Sequence, residues 1–511
     1  MRRYSSATFA LALPVALAAQ TAAADLTPAE VWADWQQYLQ GMGYTVTSQE
    51  STSGGDLTVS GLNITMAFPE GEGEMMMDLG TIRFEGQGDG TVAVVMADSM
   101  PISMDIAPPD GQGAPGKMTM TLVQSGHSMI ASGSPEAMTT TYNAESLGIQ
   151  VTDLNVEGMA MGPDKFRMNM TANGVNNTTV MTDEGALRGY DQMGSAQGVT
   201  FDFFAAPPDE PGEVAAQGGM QSVSYTTTGK IPSSGMNAAD MSQMIAAGFD
   251  IKGTFTYGAG NTNINVNDPQ AGPTSATTSS DGGTLTVNMG AGGLGYDVAQ
   301  DNTQLSMTLP DLPFPIDMSM ARSAFNLMIP VGTSDEPQDF AFGMTMQDFV
   351  MSNMIWGIFD PTSQLPRDPA TIALDLTGQA KMFIDFFNPE SAELMATQAP
   401  GELQSLKLND LTIDLAGARL DGVGDFAFDN TDTTTFPGMP KPVGAVDLSL
   451  VGGNALLDTL VNMGLVPQDQ AMGARMMMGL FAVPGDAPDT LSSKIEFTQD
   501  GQILANGQRI Q

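Results

Sequence analysis

The chain has 511 residues, with 18 Lys plus Arg against 58 Asp plus Glu, one His, no Cys and 40 Met. A formal net charge of −40 speaks against nucleic acid or an anionic membrane surface as partner, because both are held by basic stripes. The lack of Cys excludes disulfides, thiolate metal sites, Cys nucleophiles and a Cys-linked lipid anchor, and a single His excludes His-rich zinc sites.

Arg2 and Arg3 begin what reads as an export signal. Residues 7–19 are an apolar run broken by Pro14, and Ala22, Ala23 and Ala24 supply a small-residue cleavage site before Asp25. The run is shorter than the ~20 residues of a membrane-spanning helix. The expected product is a periplasmic protein of residues 25–511 with no transmembrane span and no cofactor. Single cores stop growing near ~250–300 residues, so this chain must split or grow along one axis as an elongated sheet. Only 15% of residues are charged, which leaves Thr, Ser, Asn, Gln and Gly to form most of the surface.

Thr27, Pro28 and Glu30 form a capping box with Pro at the first helical position. The helix it opens carries Val31, Trp32, Trp35 and Leu39 on one face and stops at Gly41. Beyond it, apolar and polar residues alternate with period two, which predicts half-buried strands. Residues 118–122, 252–257, 446–450 and 494–497 are examples, and 58 Gly and 31 Pro punctuate the runs as turns.

One pattern recurs: apolar-x-apolar-x-x-apolar-x-apolar. It occurs at Leu57, Val59, Leu62 and Ile64; at Ile149, Val151, Leu154 and Val156; at Met307, Leu309, Leu312 and Phe314; and at Leu406, Leu408, Leu411 and Ile413. A looser copy is Met344, Met346, Phe349 and Met351. The extra residue breaks the period, and a strand that stays in its sheet absorbs it as a β-bulge. Asp or Gly suits that position because each tolerates unusual backbone angles, and Asp153, Asp311, Asp348 and Asp410 stand there. Repeated bulges would coil a long sheet into a trough, whereas ordinary strand-turn-strand grammar would give the same pattern without one. The irregular spacing excludes a fixed-period solenoid.

Residues 205–219, with Pro207, Pro208, Pro211 and Gly212, are the best place for a subdomain boundary, and residues 258–283 read as a loose loop rich in Asn, Gly, Ser and Thr. Short helices are expected over 237–248 and 389–398, and a helical pair over 454–464 and 468–481. The pair's apolar faces (Leu456, Leu457, Leu460 and Val461; Met472, Met476, Met477 and Leu480) should plug one end of the sheet. The expected fold class is mainly β: an elongated, curved antiparallel sheet, trough- or sandwich-like, with a few short helices capping its ends.

Chemistry is sparse. His127 lies between two strand-like runs without a G-x-S-x-G elbow and is read as a turn or surface histidine. The many carboxylates allow pairing by chance, and none has the aromatic neighbours of a sugar cleft. Asp429 and Asp432 have calcium-loop chemistry without its spacing. Methionines cluster at 75–77, 118/120, 159/161, 168/170, 318/320 and 476–478. Their thioethers suit copper(I), but Met-x-Met in a strand places both side chains on one face, where Met also fills apolar space. A face lined by Met, Leu and Phe is adaptable and suits ligands of varied shape. Met118, Met120, Met168, Met170, Met344 and Met346 are the candidates for such a face. An outer-membrane barrel would share the alternation, but the chain ends on Arg509, Ile510 and Gln511 and shows no aromatic girdle.

Residues 356–371, running from Trp356 through Asp360, Pro361, Leu365, Pro366, Arg367, Asp368 and Pro369, resemble an exported alphaproteobacterial family, domain of unknown function 2125. Leu374 to Gly378, Leu415 to Gly424, Pro442 to Gly444 and Met463 to Leu465 continue the resemblance. It implies an envelope β-protein with no assigned activity. The Leu-x-Leu-x-Asp-Leu-x-Ile strands are also distantly similar to AsmA-type and bridge-like lipid-transfer envelope proteins. Within the signature, Trp356 and Phe359 should anchor a short helix ended by Asp360 and Pro361, with Arg367 paired to Asp360 or Asp368 as a fold pin. The expected function is non-enzymatic binding or scaffolding of hydrophobic or lipidic molecules. The alternatives are a copper(I)- or calcium-binding protein and a carboxylate-dependent hydrolase.

Overall fold

The computed structural model describes residues 25–510 except 68–72, 107–115, 157, 209–210, 235–239 and 389–390; the expected export signal lies outside the described residues. The chain opens on α1 (Pro28–Gly41), where the capping box forms as its sequence requires. Glu30 N–H donates to Thr27 Oγ1 at 3.3 Å, and Thr27 N–H donates to Glu30 Oε2 at 2.9 Å.

A single antiparallel meander follows. β1 (Thr45–Ser53), β2 (Asp56–Ala67) and β3 (Gly73–Gly86) pair in order. β4 (Val92–Val95), β5 (Ser99–Ile106), β6 (Gly116–Ser125) and β7 (Ser128–Ser134) then fill two ladder positions end to end, β4 beside β7 and β5 beside β6. β8 (Ala137–Val156), with the short β9 (Met159–Met161) at its end, spans both halves and leads to β10 (Phe166–Asp183), β11 (Leu187–Ala205) and β12 (Glu213–Pro232). After α2 (Met241–Ala246) the ladder splits again over β13 (Asp250–Tyr257), β14 (Gly260–Asp268), β15 (Gly272–Ser280) and β16 (Gly282–Gly290), with β13 beside β16 and β14 beside β15.

The halves rejoin at β17 (Gly293–Thr308), followed by β18 (Ile316–Ile329), β19 (Gln338–Met351), α3 (Asn353–Phe359) and β20 (Ala370–Met382). α4 (Ala392–Met395), β21 (Gly401–Leu415), β22 (Ala418–Asp429) and β23 (Lys441–Val451) continue it. Then come α5 (Gly453–Asn462), α6 (Gln468–Phe481), β24 (Val483–Pro484), β25 (Thr490–Phe497), β26 (Ile503–Ala505) and β27 (Gln508–Arg509). Among the described residues no pairing joins β1 to the last strands, so the ladder is open.

One expectation changes. Residues 258–283 are no loose loop: β14 and β15 pair along Gly260–Asp268 and extend the sheet between β12 and β17. Their polar composition concealed a two-residue alternation, with Ile264 and Val266 facing one way between Asn residues, and Thr is a good strand former. Within the Pro-rich 205–219 stretch, Ala205 ends β11 and residues 213–219 belong to β12, with Ala205 opposite Val214.

Four copies of the apolar pattern carry ladder breaks. Register shifts fall between Ser60 and Leu62, at the pairing of Thr119 and Met120 with Asp153 and Val151, between Met346 and Phe349, and between Leu408 and Leu411. The copy from Met307 instead crosses the turn between β17 and β18. Gly61, Gly174, Ser222, Asn302 and Asp348 all take φ between 50° and 60° in mid-strand, a left-handed conformation that Gly, Asn and Asp accept most easily. Two of them line up with the points where the ladder splits: a Cβ on Gly258, between β13 and β14, would touch Ser222, and Asn302 donates to Asp281, between β15 and β16. The result is a crease that crosses the strands and keeps apolar residues on one face at both sides of it.

At the amino-terminal end the sheet bends around α1. Trp32 Nε1 donates to Glu50 on β1 at 2.7 Å, while Asp34, two residues on, pairs with Arg188 on β11. Seven ladder steps separate β1 from β11, roughly 34 Å in a flat sheet, far beyond the reach of two side-chain pairs hung from one helical turn. The main buried cluster forms here, where Val31 and Trp32 pack on Val59, Leu62, Ile82, Phe84 and Val92. Elsewhere few side chains are fully buried. The chain exposes 29092 Å², against roughly 17,800 Å² for a compact 53.5 kDa monomer.

The Arg188 side chain is 8% exposed and that of Asp34 13%, so removing one partner strands a buried charge. Arg188→Ala should destabilise the amino-terminal cluster by ~3–5 kcal/mol, read as lost hydrogen-exchange protection in α1, β2 and β3. Unchanged protection there would show that α1 is held by apolar packing alone.

Candidate functional site

Residues directly opposite in an antiparallel pair share a face, so the register defines both surfaces of the sheet. Starting on β12, the row Tyr225, Phe255, Leu285, Val298, Phe325, Met344, Leu374, Leu411, Gly422 and Leu448 crosses ten strands to β23. A parallel row runs Val287, Tyr296, Leu327, Phe342, Leu376, Leu408, Gly424, Val446 and Ile495. The reverse face reads Thr286, Asp297, Asn326, Gly343, Asp375 and Asp410 over the same strands. Edge-to-face contacts such as Phe325 on Phe342, at 5.8 Å between ring centroids, tie the apolar rows together.

This apolar face is not buried. Under α1, Leu57, Val59 and Phe84 are at most 4% exposed, whereas Tyr296 is 40% and Met344 45% exposed. Leu374, Leu376, Leu408, Leu411 and Leu448 are only half-buried. From β12 to β25 the face extends over ten inter-strand steps, ~48 Å. Exposed apolar patches on folded proteins rarely exceed a few hundred Å², and this face is larger than that.

The six singled-out methionines all lie on this side of the sheet. Met118 and Met120 stand opposite Leu154 and Val151, Met168 and Met170 opposite Phe203 and Phe201, and Met344 and Met346 opposite Leu374 and Ile372. Met170 is 50% exposed. The sequence did not reveal that register also joins methionines from different strands: Met66, Met75, Met104 and Met118 form one cross-strand row.

Where α1 crosses the face, a cavity of about 310 Å³ remains, lined by Trp35, Tyr38, Leu39, Leu79, Met181 and Tyr190 among others. Burial, then the neighbouring Tyr38 and Tyr225, push the Tyr190 phenol up to about 12. Its hydroxyl donates to Gln192 Oε1 at 2.9 Å.

The signature residues build a separate pin. Asp360 ends α3 and is fully buried. Its carboxylate accepts from the N–H of Gln364 at 2.9 Å and of Leu365 at 3.0 Å. Burial opposes its ionisation, but those two N–H groups and Arg367 outweigh it and hold the carboxyl below the usual range. Arg367 pairs with Asp360 at 3.8 Å rather than with Asp368, donates to Asn353 Oδ1 and Ser363 Oγ, and lies over the Trp356 ring. The expected anchors differ in part. Trp356 stacks on Phe359 at 5.0 Å, but Phe359 is 39% exposed, and the buried residues are Asp360 and Leu365. Pro361, Pro366 and Pro369 are exposed in the loop that follows.

α5 and α6 form close to the expected ranges, but the α6 stripe does not plug the sheet. Met472, Met476, Met477 and Leu480 are 52–72% exposed, and Ala471 is the buried residue. The helix is apolar on both sides, and its smaller face packs inward. The expected helices at 237–248 and 389–398 shorten to α2 and α4, with 237–239 and 389–390 outside the described residues. His127 sits in the turn between β6 and β7, 3.5 Å from Asp98. Asp429 and Asp432 converge on Lys441 Nζ at 3.4 and 3.3 Å, so an ammonium group takes the place a calcium ion would need. Among the described residues no group of three His, Cys, Asp or Glu is placed to hold a metal, and no helix is long and apolar enough to cross a membrane.

Fold and surface together define a class: an open, creased antiparallel sheet, polar on one face and apolar on the other, with its main buried cluster beneath a helix at the amino-terminal end. Residues 259–509 match the family described as "Uncharacterized protein conserved in bacteria (DUF2125)". No curated protein and no solved structure matches the chain.

The Tyr190 shift fixes an alkaline limit. A phenol whose folded pKa is raised contributes stability below its ordinary value of 10, and loses it as pH climbs towards about 12. Melting curves across that window should fall for the wild type and flatten in Tyr190→Phe. Parallel losses in both proteins would place the limit elsewhere.

Proposed function

We propose that the protein is a non-enzymatic envelope component that holds apolar chains, those of lipids or other hydrophobic molecules, on the uncovered face of its sheet. The observation that carries this reading is the row from Tyr225 to Leu448, whose apolar side chains, interrupted at Gly422, are half-exposed. Leaving so much Leu and Phe surface in water costs about 25 cal/mol per Å² relative to burial, and bound acyl chains would recover it. The exposed methionines favour chains of differing shape over a single rigid ligand. The crease would let both halves of each strand line one trough, and the cavity beneath α1 would close one end of it. The export signal expected in residues 1–24 supports a periplasmic location for this activity.

Native mass spectrometry of gently purified protein, with organic extraction, should find apolar molecules bound. Leu376 and Leu408 face each other across β20 and β21, and each buried Leu contributes ~1.5–3 kcal/mol. Leu376→Asp with Leu408→Asp should therefore weaken acyl-chain binding at least tenfold while leaving the circular dichroism unchanged. Ligand-free protein with a dry face would sink the proposal.

The Met66, Met75, Met104 and Met118 row favours a second reading, since four thioethers from four strands suit copper(I). Copper(I) should then raise the melting temperature, and Met75→Leu with Met104→Leu should remove the shift. An unchanged melting temperature in the wild type disposes of this reading.

A further inference from the structure

The polar face carries a feature that apolar cargo does not explain. Between β10, β11, β12 and β14 it forms a groove of about 690 Å³, within the ~300–1,000 Å³ range of small-molecule sites. Seven primary amides line it: Asn169, Asn173, Gln197, Gln217, Gln221, Asn261 and Asn263. Register gathers them on one surface. Asn169 stands opposite Asp202 and Asp202 opposite Gln217, while Asn173 stands opposite Gly198 and Gly198 opposite Gln221. Gly219 lies between Thr200 and Asn261.

Gly198 and Gly219 leave the middle of the groove without side chains, so a ligand can approach the backbone there. Thr171 and Thr200, directly opposite each other, provide the remaining floor. Asn263 accepts from Thr277 Oγ1 at 3.1 Å; the other six amides make no side-chain hydrogen bond within the described protein, in contrast to Asn177 on β10, whose amide is committed. The groove's single carboxylate, Asp202, is engaged by Arg167 Nε at 2.7 Å. In a chain of net charge −40, a surface this large without an unpaired charge does not select an ion.

Each amide offers donors and an acceptor side by side, and the ligand chemistry that answers this is a dense array of neutral hydroxyls. We infer that this groove is a binding site for a neutral saccharide, on the opposite face from the apolar rows. An extended peptide could also use the amides, but it would need pockets for alternate side chains, and the glycine- and threonine-lined floor offers none. The site is independent of the acyl-chain reading, because its residues point away from that face.

Isothermal titration of the full chain with chitohexaose, maltohexaose and hexaglycine distinguishes these ligands. At least one saccharide should bind, and hexaglycine should not. Gln217→Ala with Asn261→Ala, exposed changes that leave the core intact, should weaken saccharide binding roughly fivefold or more through lost hydrogen bonds. Leu376→Asp, on the other face, should leave it unchanged. No binding of either saccharide, binding indifferent to the double substitution, or binding of hexaglycine in place of the sugars would each overturn the assignment.

Discussion

The structure depends on one constraint: in a pleated strand, alternate side chains leave by opposite faces. With apolar residues kept in phase across an antiparallel ladder, every added strand lengthens the same apolar surface. A globular fold would cover that surface with a second layer. Here the main buried cluster forms beneath α1 and its capping box, and the sheet continues well past the end of that helix. The consequences seen elsewhere follow from this imbalance. They include the large exposed area, the scarcity of fully buried side chains after β12, and the half-exposed Leu and Met rows.

Keeping the phase over long strands requires correction. Extra residues and left-handed positions at Gly61, Gly174, Ser222, Asn302 and Asp348 interrupt the alternation within β2, β10, β12, β17 and β19. A bulge also increases local twist, so the device that preserves the apolar face also shapes it. The bend around α1 joins the first strand to β11 through Glu50, Trp32, Asp34 and Arg188. The free edge at β1 is polar, built from Thr, Ser, Gln and Glu, which discourages further apolar pairing there.

Much of this was legible in the sequence because it is local or periodic. The capping box gave α1, the two-residue alternation gave a mainly β chain, and the apolar-x-apolar-x-x-apolar-x-apolar pattern marked ladder breaks in four of its five copies. The signature from Trp356 pointed to the family, although its buried member proved to be Asp360 rather than the aromatic pair. What failed depended on long-range partners. Residues 258–283 looked like a loop because polar strands gain their stability from neighbours the sequence does not name. The α6 methionines looked like a plug because apolar periodicity cannot tell which of two apolar helix faces turns inward. The amide groove was invisible for the same reason, since its residues come from four strands and meet only through register.

The central claim is that one face of the sheet, and only that face, receives apolar chains. Photo-crosslinking with a diazirine-bearing fatty acid, followed by peptide mapping, tests it residue by residue. Adducts should fall on Phe342, Met344, Leu374, Leu376, Leu408 and Leu411 and skip the intervening outward residues such as Gly343, Asp375 and Asp410. Adducts spread equally over both faces, or none on these strands, would contradict it.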